Sequence, residues 1–306
     1  MGARIDSQDG KPPLKVQPVD GLTAVDLKLT VASAQVKSAL LLAGLYADGE
    51  TRVTEPAPTR DHTERMLTAF GVQVGREGAT ASVRGGQVLR AARVDVPADI
   101  SSAAFFLVAA AICPGSDLVL RHVGMNPTRI GVLHVLRAMG ADITESNPQL
   151  VGGEPVADLH VRGGRLKGIT IDPAWVPLAI DEFPALFVAA ACAEGVTELR
   201  GAEELRVKES DRIQVMADGL AAVGLPVTVL PDGMRIEGRG GEAHPFAGGT
   251  VEAHGDHRIA MSFTVAALRS RGPIHVRDTA NVATSFPGFV ALARSVGLDV
   301  SVAKGD

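Results

Sequence analysis

The chain has 306 residues, of which 46% are apolar and 21% charged, and its 30 basic and 35 acidic side chains give a formal net charge of −5. The apolar content excludes a mainly disordered chain, and the acidic balance argues against a nucleic-acid partner. Two cysteines are too few for a disulfide framework, and residues 1–20 carry no apolar signal segment, so we expect a cytoplasmic protein. No apolar run reaches the ~20 residues of a spanning helix, so no membrane partner is expected.

One pattern recurs four times in chain order. An Ala-rich apolar helix is followed by a glycine turn, a β-branched strand, a charged loop, a second helix, a glycine and another strand. The apolar helices are predicted at residues 36–46, 103–113, 183–193 and 259–268, and the second helices at 60–70, 130–139, 210–223 and 285–296. Because the first helices are apolar almost all round, we expect them to be buried on most sides, and the glycines should form left-handed C-caps.

The segments between the copies alternate like strands. Such strands are predicted at residues 94–96, 159–161, 169–171 and 234–237, with surface loops at 151–155 and 238–249. Strands separated by helices indicate an α/β fold. A proline-bearing stretch near residues 95–99 separates a predicted first domain (1–97) from a second domain of three copies (98–306).

A highly charged segment precedes the predicted helix at residue 210. Lys208 and Arg212 are four residues apart, which would place both cations on one side of a helix. Glu209 and Asp211 are candidate acid and base groups whose pKa values those cations would tune. The alternative is a solvated helix start with intrahelical ion pairs.

A second cluster contains His254, Asp256, His257 and Arg258, directly before the apolar helix at 259–268. A helix N-terminus with an arginine is suited to an anion, whereas the plainer interpretation is an Asp256 N-cap beside a surface histidine. We expect no metal site here, because the two histidines have no third ligand at a defined spacing.

The other two apolar helices with polar openings give weaker signals. Asp181 and Glu182 precede the helix at 183–193, where they are candidate bases or residues that complement the helix dipole. Ser33 and Gln35 open the first helix as ligand donors or caps, and Arg60 opens the next helix, where it would suit a phosphate.

All these clusters occupy the same point of a repeated unit. If the units pack around a shared axis, the helix openings converge into one strong anion site. The substrate expected for such a site is small and carries several negative charges, such as a phosphate and a carboxylate.

Seven segments together resemble one family across nearly the whole chain. They are SAQVKSA (33–39), TRDHTE (59–64), DISSA (99–103), IDEFP (180–184), RVKESDR (206–212), DHRIAM (256–261) and TSFP (284–287). The chain thereby resembles the 5-enolpyruvylshikimate-3-phosphate synthases, the enolpyruvyl transferases of the shikimate pathway. The resemblance implies repeated βαβαββ units of the inside-out α/β barrel type, arranged as two domains of three units each.

The resemblance also implies an activity and site residues. The reaction transfers the enolpyruvyl group of phosphoenolpyruvate to the 5-hydroxyl of shikimate 3-phosphate, on the chorismate branch of aromatic amino acid biosynthesis, without a metal or redox cofactor. Asp181 and Glu209 would be catalytic. Shikimate 3-phosphate would be bound by Ser33, Ala34, Gln35, Arg60, Asp181 and Lys208. Phosphoenolpyruvate would be bound by Gln35, Arg212 and Arg258.

The family's opening motifs, of Pro-Gly-Asp-Lys-Ser, Asn-Ala-Gly-Thr and Arg-Pro-Met type, do not occur in this sequence. We therefore expect the N-terminal portion of the family's chain to be absent, the first domain to be incomplete, and the helix at 36–46 to expose apolar surface. Two alternatives to the synthase remain open: a non-catalytic truncated fragment that needs the missing segment, and a sister transferase acting on a UDP-amino sugar. The strings at 33–35 and 208–212 favour the shikimate enzyme, which is expected to be a monomer if complete.

Overall fold

The computed structural model describes residues 1–303, and its contacts divide the chain into two compact units. Unit 1 contains residues 1–96 and 150–155, and unit 2 contains residues 97–149 and those from 156 onward. Residues 150–155 were expected in the second domain. They group with unit 1 because Arg65 donates to the Gly153 carbonyl at 2.9 Å and His62 contacts Glu154 at 2.7 Å.

Unit 1 contains short strands and two helices. The strands are β1 (Arg4–Gln8), β2 (Lys11–Gln17), β3 (Leu22–Thr23), β4 (Asp26–Lys28), β5 (Ala47–Asp48), β6 (Glu50–Thr54), β7 (Val74–Glu77) and β8 (Thr80–Arg84), and the helices are α1 (Ala34–Gly44) and α2 (His62–Ala69). Strands β1 and β2 pair antiparallel, and β3 pairs parallel with β5. The largest sheet has the order β4-β6-β8-β7, in which only the β4–β6 pair is parallel.

The apolar core of unit 1 is small. It consists of seven buried residues: Leu41, Leu45, Val53, Leu67, Val72, Ala81 and Val83. Helix α1 buries only Lys37, Leu41 and Gly44, which lie on one face at helical spacing. The prediction of a helix buried on most sides is therefore wrong for α1, whereas the expected exposure of apolar surface is found at Val36 and Leu42.

Unit 2 contains the three later copies. Its helices are α3 (Ile100–Ile112), α4 (Gly131–Ala138), α5 (Phe183–Ala191), α6 (Arg212–Ala222), α7 (His257–Ala266), α8 (Ala280–Ser285) and α9 (Phe289–Ser295), with 3₁₀ turns at Pro173–Trp175, Glu203–Val207 and Ala267–Arg269. Its strands are β9 (Asp117–Gly124), β10 (Asp142–Val151), β11 (Glu154–Arg162), β12 (Leu166–Lys167), β13 (Ala193–Leu199), β14 (Thr228–Leu230), β15 (Gly233–Arg239), β16 (Gly249–Glu252) and β17 (Ile274–Arg277). The tip of the β10–β11 hairpin is the segment assigned to unit 1.

The sheets of unit 2 follow the copies. One sheet has the order β10-β11-β9, a second has the order β12-β13-β15-β14, and β16 pairs parallel with β17. In the second sheet β13 and β15 are antiparallel, with Glu194 opposite Arg239 and Leu199 opposite Met234. Each sheet covers apolar helices on one face, so the buried helices lie inside and the strands outside.

Helices α3, α5 and α7 form the centre of unit 2. They pack against one another, and all residues of α5 are buried. Sixty buried apolar residues form one continuous core around them. The prediction that these apolar helices are buried on most sides is confirmed, and their packing brings the three helix starts to one end of the bundle.

The predicted glycine caps are also found. Gly71, Gly140, Gly224 and Gly297 follow the second helix of each copy, and their φ angles lie between +84° and +97°. A Cβ atom disfavours this left-handed conformation. Glycine has none, so it can end each helix with little conformational strain.

Three local predictions are wrong. The helix predicted at 285–296 begins only at Phe289, as α9, because Pro287 and Gly288 separate it from α8, which ends at Ser285. Residues 94–96 form no strand, and Val94 and Val96 are exposed. Residues 169–171 contribute only an isolated bridge between Thr170 and Glu198. Among residues 1–303, every helix is too short or too polar to span a lipid bilayer.

The difference in core size predicts unequal local stability. Limited trypsin digestion of the native chain is expected to cut within residues 1–96 first, because seven buried apolar residues resist local opening less than sixty do. Mass spectrometry of the early fragments checks this, and a fragment beginning near residue 97 should accumulate. Equal resistance of both units, or earlier cleavage after Arg137 in α4 or Arg258 in α7, would contradict it.

Candidate active site

Three helix starts of unit 2 meet around the Asp181 carboxylate. Asp181 lies two residues before α5, Arg212 is the first residue of α6, and Arg258 is the second residue of α7. Asp181 Oδ1 lies 3.4 Å from Arg212 Nη1 and 3.5 Å from Lys208 Nζ. Arg258 Nη1 donates to the Asp181 backbone carbonyl at 2.9 Å. Two cations therefore face one carboxylate, and a third is tied to the same residue's backbone.

Arg212 is the most deeply buried member of this group, with 1% of its side chain exposed. Its Nε donates to Asp256 Oδ2 at 2.8 Å, and its Nη2 contacts Glu209 Oε2 at 2.5 Å. The rigid guanidinium fork thus links the carboxylates that precede α5, α6 and α7. Sequence spacing gave no sign that Asp256 is the buried partner of Arg212.

Asp256 is fully buried and fixes the start of α7. It accepts hydrogen bonds from the Arg258 backbone N–H at 2.9 Å and from Ser210 Oγ at 3.0 Å. Burial alone would raise the pKa of Asp256, but the hydrogen bond and charge of Arg212 outweigh it and hold the pKa below its usual value. The N-cap interpretation is confirmed, and the same carboxylate also anchors Arg212.

The segment before α6 is not α-helical. The 3₁₀ turn at Glu203–Val207 ends at Lys208, whose backbone is extended, and α6 begins at Arg212. The prediction that Lys208 and Arg212 share one side of a helix is wrong, because Asp211 caps α6 by accepting from the Gln214 backbone N–H. The two cations converge nevertheless, since both contact Asp181.

Glu209 and Lys208 are the more accessible members of the cluster. The Glu209 side chain is 52% exposed, and Lys208 also contacts Glu204 Oε1 at 2.5 Å. His257 lies beside them at the start of α7, where burial and the neighbouring Arg258 lower its pKa, so it is neutral near pH 7. A substrate at this site would meet two arginines, one lysine and two carboxylates of different burial.

Glu182 differs from its predicted role. The capping alternative assigned the acidic pair to the helix dipole, but the Glu182 side chain makes no capping hydrogen bond to α5. Its carboxylate instead accepts a hydrogen bond from Ser101 Oγ, on the first turn of α3. An acidic residue before an apolar helix suggests a cap, and sequence alone does not reveal a partner 81 residues away.

The other predicted residues lie in unit 1. Ser33 is the N-cap of α1 and accepts from the Val36 backbone N–H at 3.3 Å, so the cap interpretation is confirmed. Ala34 is the first residue of the helix, and Gln35 is exposed beside it. Arg60 is half-buried two residues before α2.

A buried charge network joins the two helices of unit 1. Lys37 is fully buried, and its Nζ lies 2.9 Å from Glu55 Oε2 and 2.8 Å from Glu64 Oε1. Ser38 on α1 also hydrogen-bonds Thr63 on α2 at 2.7 Å. This network fixes α1 relative to α2 and so positions the polar start of α1.

In the described part of the chain, no three His, Cys, Asp or Glu side chains are grouped so as to hold a metal ion. Cys113 and Cys192 are both free thiols. Burial raises the pKa of the Cys192 thiol to about 12.

The lowered pKa of Asp256 predicts a pH-dependent stability. A carboxyl group with a depressed folded-state pKa stabilises the fold above its unfolded pKa, near 4, and that stability is lost as pH falls through the folded pKa. Asp256→Asn should therefore lower the free energy of unfolding at pH 7 by about 3 kcal/mol, because Arg212 loses its buried counter-ion.

Urea denaturation of wild type and Asp256→Asn from pH 7 down to pH 3 checks this. The difference between their free energies of unfolding should become smaller below about pH 4. The exposed Asp218, which accepts from the Gln214 side chain, supplies the control variant Asp218→Asn. A difference in the free energy of unfolding that does not change with pH would contradict the assignment of Asp256 as the ionised partner of Arg212.

The sequence profile of the family described as EPSP synthase (3-phosphoshikimate 1-carboxyvinyltransferase) matches residues 1–292. The chain belongs to this family. The match covers both units and includes each of the helix starts described above.

Several members are close relatives. The 3-phosphoshikimate 1-carboxyvinyltransferase of Methylococcus capsulatus is 63% identical over 303 residues, which are 99% of this chain and 68% of that protein. The corresponding protein of Alkalilimnicola ehrlichii is also 63% identical, over 100% of this chain and 68% of its own length. The chain therefore spans about two thirds of the relatives' length.

A solved structure supports the fold assignment. The EPSP synthase of Acinetobacter baumannii superposes with a TM-score of 0.94 at 57% identity, over 99% of this chain and 70% of that structure. The prediction of the enolpyruvyl transferase fold is confirmed, and the chain is an enzyme of this family.

Proposed function

We propose that the cluster around Asp181 is the catalytic centre of a 3-phosphoshikimate 1-carboxyvinyltransferase, which transfers the enolpyruvyl group of phosphoenolpyruvate to the 5-hydroxyl of shikimate 3-phosphate. The observation that carries the proposal is the contact of Lys208 and Arg212 with one partly exposed carboxylate, beside Arg258. Three cations suit two polyanionic substrates, and the carboxylate among them is a group that can accept a proton from a hydroxyl.

Each substrate is assigned its own residues. Phosphoenolpyruvate carries a phosphate and a carboxylate, both of which the planar forks of Arg212 and Arg258 bind well. Lys208 and Asp181 bind shikimate 3-phosphate. In unit 1 the same substrate is assigned Ser33, Ala34, Gln35 and Arg60, where a helix N-terminus and a guanidinium favour an anion.

The first half of the reaction forms a C–O bond. The methylene carbon of phosphoenolpyruvate takes up a proton, so positive charge develops at the neighbouring carbon. The 5-hydroxyl oxygen attacks that carbon while its proton passes to Asp181. The product is a tetrahedral adduct that still carries the phosphate.

The second half breaks a different C–O bond. The methyl group of the adduct loses a proton, the carbon–carbon double bond re-forms, and inorganic phosphate leaves. We assign both proton transfers at this carbon to Glu209, which is the more exposed carboxylate, while Asp181 serves the hydroxyl. Two carboxylates in unlike surroundings can hold different protonation states at one pH, which such a division of roles requires.

We also propose that the enzyme is cytoplasmic and, as a complete chain, monomeric. Two free thiols, one of them fully within the core, fit a reducing compartment. Light scattering on the purified chain tests the monomer.

Initial-rate measurement of phosphate release tests the proposed function. Release is expected only when shikimate 3-phosphate and phosphoenolpyruvate are both present, with 5-enolpyruvylshikimate 3-phosphate formed in equal amount. A UDP-amino sugar in place of shikimate 3-phosphate should give no release. Turnover with the UDP-amino sugar, or none with shikimate 3-phosphate, would overturn the proposal.

A further inference from the structure

A buried carboxylate lies behind Arg258. The Glu182 side chain is 2% exposed, and its Oε1 is 3.8 Å from Arg258 Nη1. The same Nη1 donates to the Asp181 backbone carbonyl at 2.9 Å. One corner of the guanidinium is therefore held by two consecutive residues that lead into α5.

Glu182 is itself held in place from α3. Ser101 Oγ donates to the Glu182 carboxylate and contacts Arg129 Nη2 at 2.5 Å. A guanidinium has only donors, so the Ser101 oxygen accepts from Arg129 and its single proton points at Glu182. Arg129 therefore donates to Ser101, and Ser101 donates to Glu182.

Arg129 completes the series with a second acidic contact. Its Nη2 lies 3.3 Å from Asp99 Oδ1, and Asp99 caps α3 by accepting from the Ser102 backbone N–H. The series Arg129–Ser101–Glu182–Arg258 thus runs from the start of α3, past the start of α5, to the start of α7. It lies within unit 2 and uses none of the residues assigned to substrate except Arg258.

The Glu182 carboxylate is buried, and removing a charged group from water costs free energy. Desolvation raises the pKa of Glu182, and the Ser101 hydrogen bond and the charge of Arg258 oppose that rise. An apolar residue at position 182 would avoid this desolvation penalty, but it would remove the acceptor of the Ser101 hydroxyl and the negative charge beside Arg258. A carboxylate there does something that packing alone does not need, because it can orient a cation.

We propose that Glu182 is a positioning residue that holds Arg258 in the orientation that binds phosphoenolpyruvate, with Ser101 and Arg129 fixing the Glu182 carboxylate. The inference rests on the proposed function, in which Arg258 binds that substrate. A guanidinium anchored at Nη1 keeps a fixed plane, so its fork meets an incoming carboxylate or phosphate without first losing rotational freedom.

The test variant is Glu182→Gln. It keeps the size of the side chain and an oxygen acceptor for Ser101, but it removes the negative charge beside Arg258. The KM for phosphoenolpyruvate should rise by about tenfold, because the variant removes a buried negative charge that lies 3.8 Å from Arg258 Nη1. The dissociation constant of shikimate 3-phosphate, measured by titration calorimetry, should stay within about twofold of wild type, because the residues assigned to it are untouched.

Three further variants separate the possible outcomes. Glu182→Asp keeps the charge and should restore most of the phosphoenolpyruvate KM. Ser101→Ala, which removes the hydroxyl, should raise that KM by a smaller factor. The matched control is Glu145→Gln, an exposed carboxylate paired with Arg137 at 2.7 Å, and it should change neither constant.

Arg258→Ala distinguishes this inference from the proposed function. If it raises the phosphoenolpyruvate KM and Glu182→Gln does not, the positioning role is wrong and the proposed function stands. If Glu182→Gln weakens both substrates together and Glu182→Asp rescues neither, Glu182 has only a structural role. If Arg258→Ala leaves the phosphoenolpyruvate KM unchanged, both the role of Arg258 and its positioning by Glu182 are overturned.

Discussion

Arg212→Ala is expected to lower the free energy of unfolding by about 3–5 kcal/mol and to abolish enolpyruvyl transfer. Arg212 is 1% exposed and contacts Asp181, Glu209 and the fully buried Asp256. Its removal leaves the Asp256 carboxyl group buried without its main counter-ion. It also removes an arginine assigned to phosphoenolpyruvate and one of the cations beside Asp181.

Chemical denaturation and phosphate release measure the two effects, and a second variant separates them. In Arg212→Met with Asp256→Asn, the buried pair loses both charges together, so most of the stability should return while activity stays absent. Recovery of activity in the double variant would contradict a direct role for Arg212. Arg212→Lys should be stable yet slow, since an ammonium cannot reproduce the planar fork.

Asp181→Asn is expected to lower kcat by about 10²–10⁴-fold, the usual contribution of a positioned acid or base. The amide oxygen can still accept the hydrogen bond from Arg212 but cannot take the proton of the 5-hydroxyl. The side chain is 16% exposed, so the fold should be little affected. The KM values should change far less than kcat, because the loss falls on the transition state.

Initial rates with wild type and Asp181→Asn give this comparison, with Asp142→Asn as the matched control. Asp142 is an exposed aspartate 3.5 Å from Arg162, and its replacement should leave kcat unchanged. A kcat for Asp181→Asn within about threefold of wild type would show that another group accepts the proton.

The sequence was most informative where local chemistry decides the structure. The apolar character of α3 and α5 predicts burial from all sides, and both helices are buried in that way. Gly140 and Gly224 predict helix ends because few other residues adopt a positive φ cheaply, and both have it.

Long-range partners could not be predicted. Nothing near Arg212 in the sequence identifies Asp256, 44 residues away, as its buried counter-ion. Glu182 has the local signature of a capping residue, but its partner Ser101 lies on another helix. Helix α1 is predicted to be buried like α3, yet only one face of α1 is buried, because burial also depends on which elements pack against a helix.

A crystal structure with shikimate 3-phosphate and phosphoenolpyruvate bound would test most directly whether the starts of α5, α6 and α7 form one catalytic centre. The 5-hydroxyl should lie within hydrogen-bonding distance of the Asp181 carboxylate, and the anionic groups of phosphoenolpyruvate should contact Arg212 and Arg258. Substrates bound away from these three helix starts, with Asp181 contacting neither of them, would contradict the assignment.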